Sequence, residues 1–335
     1  MNRRIAVFGA YGHTGHFVVA ELRRRGWQPI LCGRDGNKLQ TVASGAGEDV
    51  RVASIADPDS LDRAVRGAAA IINCAGPFLD TSRAVLEAAL RARLHYLDVA
   101  AEQPPVLAAF EHYDASAREA GVVVLPAMAF YGGLGDLLAT VTCGDWTSVD
   151  EISFAVALDS WHPTRGTRIT GERNRGTRYA VADGRLQPME TVPLRLSWAF
   201  PSPFGEQKVA PLGLADVILM HRHLNAAAVV GYINEAPLAD LRDPGTPPPV
   251  PADASGRSAQ IFLMDVRVSR GGETRRVVAR GRDIYAITAP LVVEAAERVL
   301  SARVAGLGAR AAGEAFDAEG FLGALSPAGL VVEPG

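Results

Sequence analysis

Three glycines at three-residue spacing, in Gly9-Ala10-Tyr11-Gly12-His13-Thr14-Gly15, follow directly on the apolar run Ile5–Phe8. A strand that turns through such a segment into a helix has the parts of a dinucleotide-binding turn. One glycine permits the tight turn, one lets backbone approach a pyrophosphate, and one lets helix and strand pack closely. The helix N-terminus then offers unpaired N–H groups and a favourable dipole to the phosphates. The spacing is G-x-x-G-x-x-G, and its position at a first strand–helix junction is what gives it meaning. The end of the next apolar run, Pro29–Cys32, selects the nucleotide. Gly33 stands where an acidic residue would hold the ribose hydroxyls of NAD, while Arg34 and Lys38 can meet a 2′-phosphate. That pattern predicts NADP(H). Asp35 is the one carboxylate nearby that could turn to the ribose instead.

Later strand ends supply the remaining candidates. Asp57 can bond the adenine amino group or cap the helix that starts at Pro58. Asn73-Cys74-Ala75-Gly76-Pro77-Phe78 is expected to shape a loop over the nicotinamide ribose, with Phe78 facing substrate. Cys74 has no base beside it and reads as a buried thiol. Hydride transfer also needs a group that handles one proton. The Tyr-x-x-x-Lys solution is excluded, because Lys38 and Lys208 are the only lysines and neither has a tyrosine four residues before it. The candidates at strand ends are Glu102 and Tyr131 as proton donors, with Asp98 orienting a ribose or a neighbour. Arg165, Arg168, Arg173, Arg175 and Arg178 crowd one stretch with Thr167 and Thr170. Guanidinium groups there suit a carboxylate or phosphate, so Arg168 is expected at the substrate. His162, His221 and His223 complete no metal-ligand spacing, and no metal is predicted.

Composition removes other classes. The chain has 335 residues and a net charge of −3, so no basic excess favours nucleic acid. Nothing approaches the ~18 apolar residues of a membrane span, and the N-terminus lacks a secretory pattern. Cys32, Cys74 and Cys143 are too few and too scattered for a disulfide framework. The expectation is a cytoplasmic protein acting on a small molecule, with no nucleic-acid or membrane partner.

The elements that must position these residues alternate along residues 1–145. Strands are expected at Ile5–Phe8, Pro29–Cys32, Val50–Ser54, Ala70–Cys74, Tyr96–Val99 and Val122–Leu125, with helical spacing between. Pro29 should open its strand, and Asp80-Thr-Ser should cap the helix carrying Val85 to Leu90. This alternation predicts an α/β fold, with a doubly wound parallel Rossmann sheet at the N-terminus. Residues 146–283 read as a second α/β domain on a mainly antiparallel sheet. Its signals are a strand at Glu151–Leu158 and a hairpin of Ile261–Ser269 with Thr274–Arg282 about Arg270-Gly-Gly-Glu. Asp243–Ala254 holds five prolines and can only be a loop. Ile284–Val304 reads as a helix, regular from Thr288, that packs back on the first domain.

Taken together, Gly9–Gly15, Gly33-Arg-Asp, Asn73–Phe78 and Tyr96-Leu-Asp-Val-Ala-Ala-Glu102 resemble the saccharopine-dehydrogenase-like reductases. Pro126–Asp136 and Gly281–Ala289 extend the resemblance over most of the chain. That group includes trans-acting enoyl reductases and lysine- and polyamine-pathway dehydrogenases. The resemblance implies a Rossmann domain, a second α/β domain whose sheet lines the active site, and in many members a homodimer. It implies an NADP(H)-dependent oxidoreductase, with Gly166-Thr167 of a Gly-Thr-rich segment touching the ligand and Tyr285, beside Asp283 at the start of the late helix, closing the site. Reduction of C=N or C=O is favoured, because Phe130-Tyr-Gly-Gly replaces the Phe-Asp-Ser-x-Pro-like stretch of the enoyl reductases. Reduction of C=C is the alternative within the class, and a non-catalytic NADPH-binding sensor is the alternative outside it.

Overall fold

The computed structural model describes residues 3–43, 45, 48–191 and 196–335. Six short apolar runs become the parallel strands β1 (Arg4–Phe8), β2 (Gln28–Gly33), β3 (Val50–Val52), β4 (Ala70–Asn73), β5 (His95–Asp98) and β6 (Val123–Leu125). A seventh strand, β15 (Gly308–Ala309), joins from near the C-terminus, giving the order β15-β6-β5-β4-β1-β2-β3. The order reverses between β1 and β4, and ligands of such sheets bind outside the strand ends at that switch point.

Two local expectations change. Pro29 is the second residue of its strand rather than the first. Gln28 N–H donates to Arg3 on the β1 side and Leu31 N–H to Asp49 on the β3 side. The nitrogen of Pro29 therefore faces the β3 side, ahead of the first β2–β3 pair at Leu31, where no donor is needed. The third strand stops at Val52 because the Ser54 N–H bonds the Ser60 hydroxyl at 3.0 Å, drawing the chain into the next helix cap.

Helices α1 (His13–Arg24), α2 (Gly36–Val42), α3 (Pro58–Val65), α4 (Phe78–Arg91) and α5 (Gln103–Ala120) fill the crossovers. The fourth starts at Phe78, with Pro77 at its N-cap, two residues before the expected Asp80. After α6 (Gly135–Cys143), a second sheet forms from β7 (Val149–Leu158), β8 (Tyr179–Ala182), β9 (Arg185–Pro188), β10 (Ser197–Ala199), β11 (Glu206–Pro211), β12 (Ala226–Asn234), β13 (Ile261–Arg270), β14 (Glu273–Arg282) and β16 (Val331–Pro334). It is mostly antiparallel, with β7 and β12 parallel. The β13–β14 turn uses Gly271 and Gly272 at φ +57° and +88°, a pair that only glycine or a few polar residues adopt readily. The Arg-rich stretch, which carries no strand or helix signal of its own, contains α7 (Arg165–Arg173), capped by Thr164. Two further helices, α8 (Ala215–His223) and α9 (Ala236–Arg242), precede the proline loop. Among the described residues no helix is long and apolar enough to cross a membrane.

One core runs through both sheets. It joins Val7, Leu31 and Leu97 of the first sheet to Ile152, Phe154 and Val266 of the second, through Leu134, Leu137 and Leu138. The late helix α10 (Thr288–Leu300) packs on α1 within this core. Their contact is fastened by charge. Arg25 bonds Glu21 at 2.7 Å, Glu294 at 2.7 Å and Glu297 at 2.6 Å, and the Trp27 indole N–H donates to Glu297 at 2.7 Å. The arginine is largely shielded from water, so truncation leaves Glu297 without its cation, while Glu21 keeps Arg24 and Glu294 keeps Arg298. Arg25→Ala is expected to lower the unfolding free energy by about 2–3 kcal/mol, below the range for fully buried pairs. A urea titration checks this; an unchanged midpoint would show that the cluster contributes nothing.

Candidate functional site

The glycines of the first turn have distinct jobs. A Cβ on Gly15 would lie 2.2 Å from the Gly9 carbonyl oxygen, so helix and turn meet there only because no side chain intervenes. Gly9 sits at φ +86°, and a Cβ on it would come within 2.9–3.0 Å of Ala75 N and Cα on the neighbouring strand-end loop. Gly12 is the N-cap of α1 and supplies no side-chain cap. The first N–H groups of the helix, from His13, Thr14 and Gly15, therefore have no intrahelical acceptor, and no acidic residue stands in that turn. Backbone N–H groups left unpaired in this way suit a pyrophosphate.

At the end of β2, Arg34 is exposed, and among the described residues no ion pair engages it. Asp35 caps α2 by accepting the Lys38 N–H at 3.1 Å, and its other oxygen lies 3.6 Å from Lys38 Nζ. Its carboxylate is thereby turned into the helix rather than toward a ribose. Asp57 likewise caps α3, accepting the Ser60 N–H at 3.1 Å. Asp57 thus takes the capping role that its position before Pro58 allows. Val52 at the tip of β3 is 58% exposed and offers an apolar surface at this corner. The sequence reading passed over it because an apolar residue at a strand end carries no signal of exposure.

Beneath the next loops lies a buried polar chain. The Asn73 side-chain oxygen accepts the Ala75 N–H at 3.0 Å, and its amide donates to Thr81 at 3.3 Å and Tyr96 at 3.4 Å. Tyr96 O–H donates to Asp98 at 2.8 Å, and the other Asp98 oxygen accepts Ala100 N–H at 3.0 Å and Ala127 N–H at 2.7 Å. Burial pushes the Asp98 carboxyl up to about 6, against the pull of those donors. Both its oxygens are used, and it does not line the cleft described below. Asp98 is thus a support for the turn at Ala127 and not a catalytic group. Glu102 does line the cleft, yet its oxygens accept the N–H groups of Phe78 at 2.9 Å and Ala101 at 3.1 Å. That tie is why α4 begins at Phe78, just after the cis Gly76–Pro77 bond. Burial pushes the Cys74 thiol well above its ordinary range, so it is no nucleophile.

Facing these strand ends across a cleft of about 1010 Å³ stands the second sheet with α7. Thr14, Cys74, Gly76, Phe78 and Tyr131 line the cleft from the first-sheet side in sequence, and Trp161, Thr167, Arg168 and Tyr285 come from segments after β6 and α6. The Tyr285 hydroxyl is a junction, bonded to Trp161 Nε1 at 3.1 Å, Thr167 Oγ1 at 2.9 Å and Thr164 N at 3.4 Å. Its ring meets His13 edge-on at 5.2 Å, so the glycine-rich turn and α7 share one contact. Thr170 stands 3.4 Å from where a Cβ on Gly76 would be. Arg168 lies at the cleft, but its guanidinium holds the carbonyls of Asp243 and Thr246 and so tethers the proline loop. Arg173 is paired with Asp80 at 2.6 Å. Tyr131 is 7% exposed, packed between Phe130 and Trp161, with its hydroxyl buried and unpartnered. Desolvation raises its pKa well above the usual phenol value. Among the described residues no cluster could hold a metal ion.

Residues 5–125 match the model of the saccharopine dehydrogenase NADP binding domain. A human "saccharopine dehydrogenase-like oxidoreductase" is 28% identical over 146 residues, 38% of this chain and 34% of that one. A Caenorhabditis elegans "lipid droplet localized protein" is 32% identical over 136 residues, 37% of this chain and 32% of that one. The matched segments thus span about a third of these curated relatives. The fold of the whole chain is similar to apo saccharopine dehydrogenase (L-Glu forming) from Saccharomyces cerevisiae, with a TM-score of 0.66 at 12% identity, covering 99% of this chain and 100% of that one. The unpaired N–H groups of the first turn of α1 and the cradle that side chains would fill fit an NADP dinucleotide.

One buried acid lies outside every sequence expectation. Asp216, in the first turn of α8, is 0% exposed, and neither oxygen has a hydrogen-bond partner of normal geometry. Burial pushes it up to about 7, offset in part by the nearby Gly132 N–H. Because folding raises this pKa, the stability it contributes is complete below about pH 4 and is lost as pH rises through about 7. Asp216→Asn should therefore match the wild type near pH 4 and exceed it at pH 8, by on the order of 3–4 kcal/mol. Urea unfolding at both pH values checks this, and a variant no more stable at pH 8 would contradict it.

Proposed function

We propose that the chain is an NADP(H)-dependent oxidoreductase that reduces a C=N or C=O group of a small metabolite. The observation that carries this reading is the place of Tyr131. Its hydroxyl is buried and unpartnered, and its residue lines the same cleft as Thr14 of the nucleotide turn and Cys74, Gly76 and Phe78 of the next strand-end loop. NADPH, when bound, supplies the hydride. Reduction of such a bond leaves charge on nitrogen or oxygen, and the Tyr131 O–H can donate the proton to that atom. Desolvation keeps the hydroxyl protonated at physiological pH. Glu102 acts as a positioning residue, holding the start of α4 and the end of β5 together. His13, neutral because burial lowers its pKa, packs the turn against Tyr285. Trp161 and Phe130 flank Tyr131 and keep water away from its hydroxyl.

The rest of the lining bears on substrate class. Leu212, Leu214, Ile233 and Leu238 make much of the cleft apolar. Arg178 and Arg242 lie on it with no acidic partner among the described residues. A substrate with an apolar body and an anionic group fits both features. A screen of imines, 2-oxo acids and other ketones for NADPH oxidation tests the reading. With any active compound, Tyr131→Phe is expected to lower turnover about 100-fold or more while NADPH affinity stays within about twofold. Unaltered turnover would remove Tyr131 from the proton-transfer role.

A further inference from the structure

We infer that Tyr11 sets the choice between NADPH and NADH, by occupying the space from which an acidic residue would hold an adenosine ribose. This rests on the cofactor assignment and concerns what enforces it. Position 33 ends β2, the place where a carboxylate would reach the ribose hydroxyls. A Cβ there would lie 2.8 Å from Tyr11 Cε1, 3.4 Å from Cδ1 and 3.6 Å from Leu39 Cδ2. The first of these is closer than van der Waals contact allows, so even one added methyl must move the ring. A full aspartate or glutamate would have to displace it. Gly33 is not held by its own backbone, since its φ is not among the positive ones. The ring alone explains the missing side chain.

The second route for a carboxylate is closed as well. Asp35 is committed to capping α2 and faces Lys38. What remains at this corner is a phenol, a guanidinium and an ammonium. Lys38 Nζ lies 5.8 Å from the Tyr11 ring centroid, and the Tyr11 hydroxyl makes no hydrogen bond among the described residues. Three donor groups with two positive charges suit a phosphate monoester, and no carboxylate among them is free to accept from the ribose 2′- and 3′-hydroxyls together. Tyr11 therefore belongs to the glycine-rich turn in sequence and to the 2′-phosphate corner in space.

The test is a set of binding titrations with NADPH and NADH, read by nicotinamide fluorescence, on folded protein verified by thermal unfolding. Gly33→Asp alone is expected to weaken both cofactors at least tenfold, because the ring and the new carboxylate compete for one space. Combining it with Tyr11→Ala should restore NADH at least tenfold relative to the single variant and reverse the preference. The corresponding Tyr11→Ala, Gly33→Ser pair gives the same readout, with a smaller shift, where the charged pair does not fold. The inference is overturned if Gly33→Asp alone gains NADH, or if the double variants bind NADH no better than their Gly33 single variants. A wild-type chain that binds neither dinucleotide overturns the cofactor assignment itself, a result separable from the first.

Discussion

Two buried carboxylates hold the strand ends on which the site depends. Asp98 gathers the N–H groups of Ala100 and Ala127 and the hydroxyl of Tyr96, while Glu102 gathers those of Phe78 and Ala101. A buried N–H left without an acceptor costs about 1–3 kcal/mol. These loops leave the sheet where no further strand can satisfy their backbone. With the acceptors in place, the chain at Phe78, Ala100, Ala101 and Ala127 is fixed, and Cys74, Phe78 and Tyr131 all line the cleft. Proximity of this kind is worth little if the supporting shell is loose, since small displacements at a reacting centre are costly.

The second constraint joins the two sheets. Tyr285 reaches from the start of the late helix to Trp161 and Thr167, and its ring rests on His13. One phenol therefore couples the phosphate-binding turn to the helix that roofs the cleft. Arg168 and Arg173 continue the same task, one tying the proline loop and the other reaching Asp80 on α4. Guanidinium groups that look in sequence like a substrate cluster are divided in space between scaffolding and lining.

The parallel sheet was legible because each strand is a short apolar run and each crossover has helical spacing, so existence and order followed from periodicity. The glycine-rich turn was legible because backbone approach to phosphate requires glycine whatever the fold's details. Strand limits were less so. Val50–Ser54 ended early because a serine hydroxyl seventh in line captured the Ser54 N–H, a contact that no local pattern announces. The roles of acids were least legible. Asp35, Asp57 and Asp98 are each of a type that can bind ligand or cap backbone, and all three accept backbone N–H groups. Only the fold shows which way a carboxylate turns. Helix α7 was missed because Arg, Gly and Thr carry weak helical preference, and the segment buries no residue fully. Asp216 gave no signal, since its peculiarity is the absence of a partner.

The central claim is that the nicotinamide end of NADPH enters the cleft between the sheets, beside Trp161 and Tyr131. Tryptophan emission overlaps reduced nicotinamide absorption, so energy transfer on titration with NADPH reports proximity, and Trp161→Phe isolates the donor. Saturable transfer that falls sharply in Trp161→Phe, while the cofactor's own fluorescence still shows binding, is the expected result. Binding with transfer unaltered by that substitution would place the nicotinamide elsewhere and contradict the site.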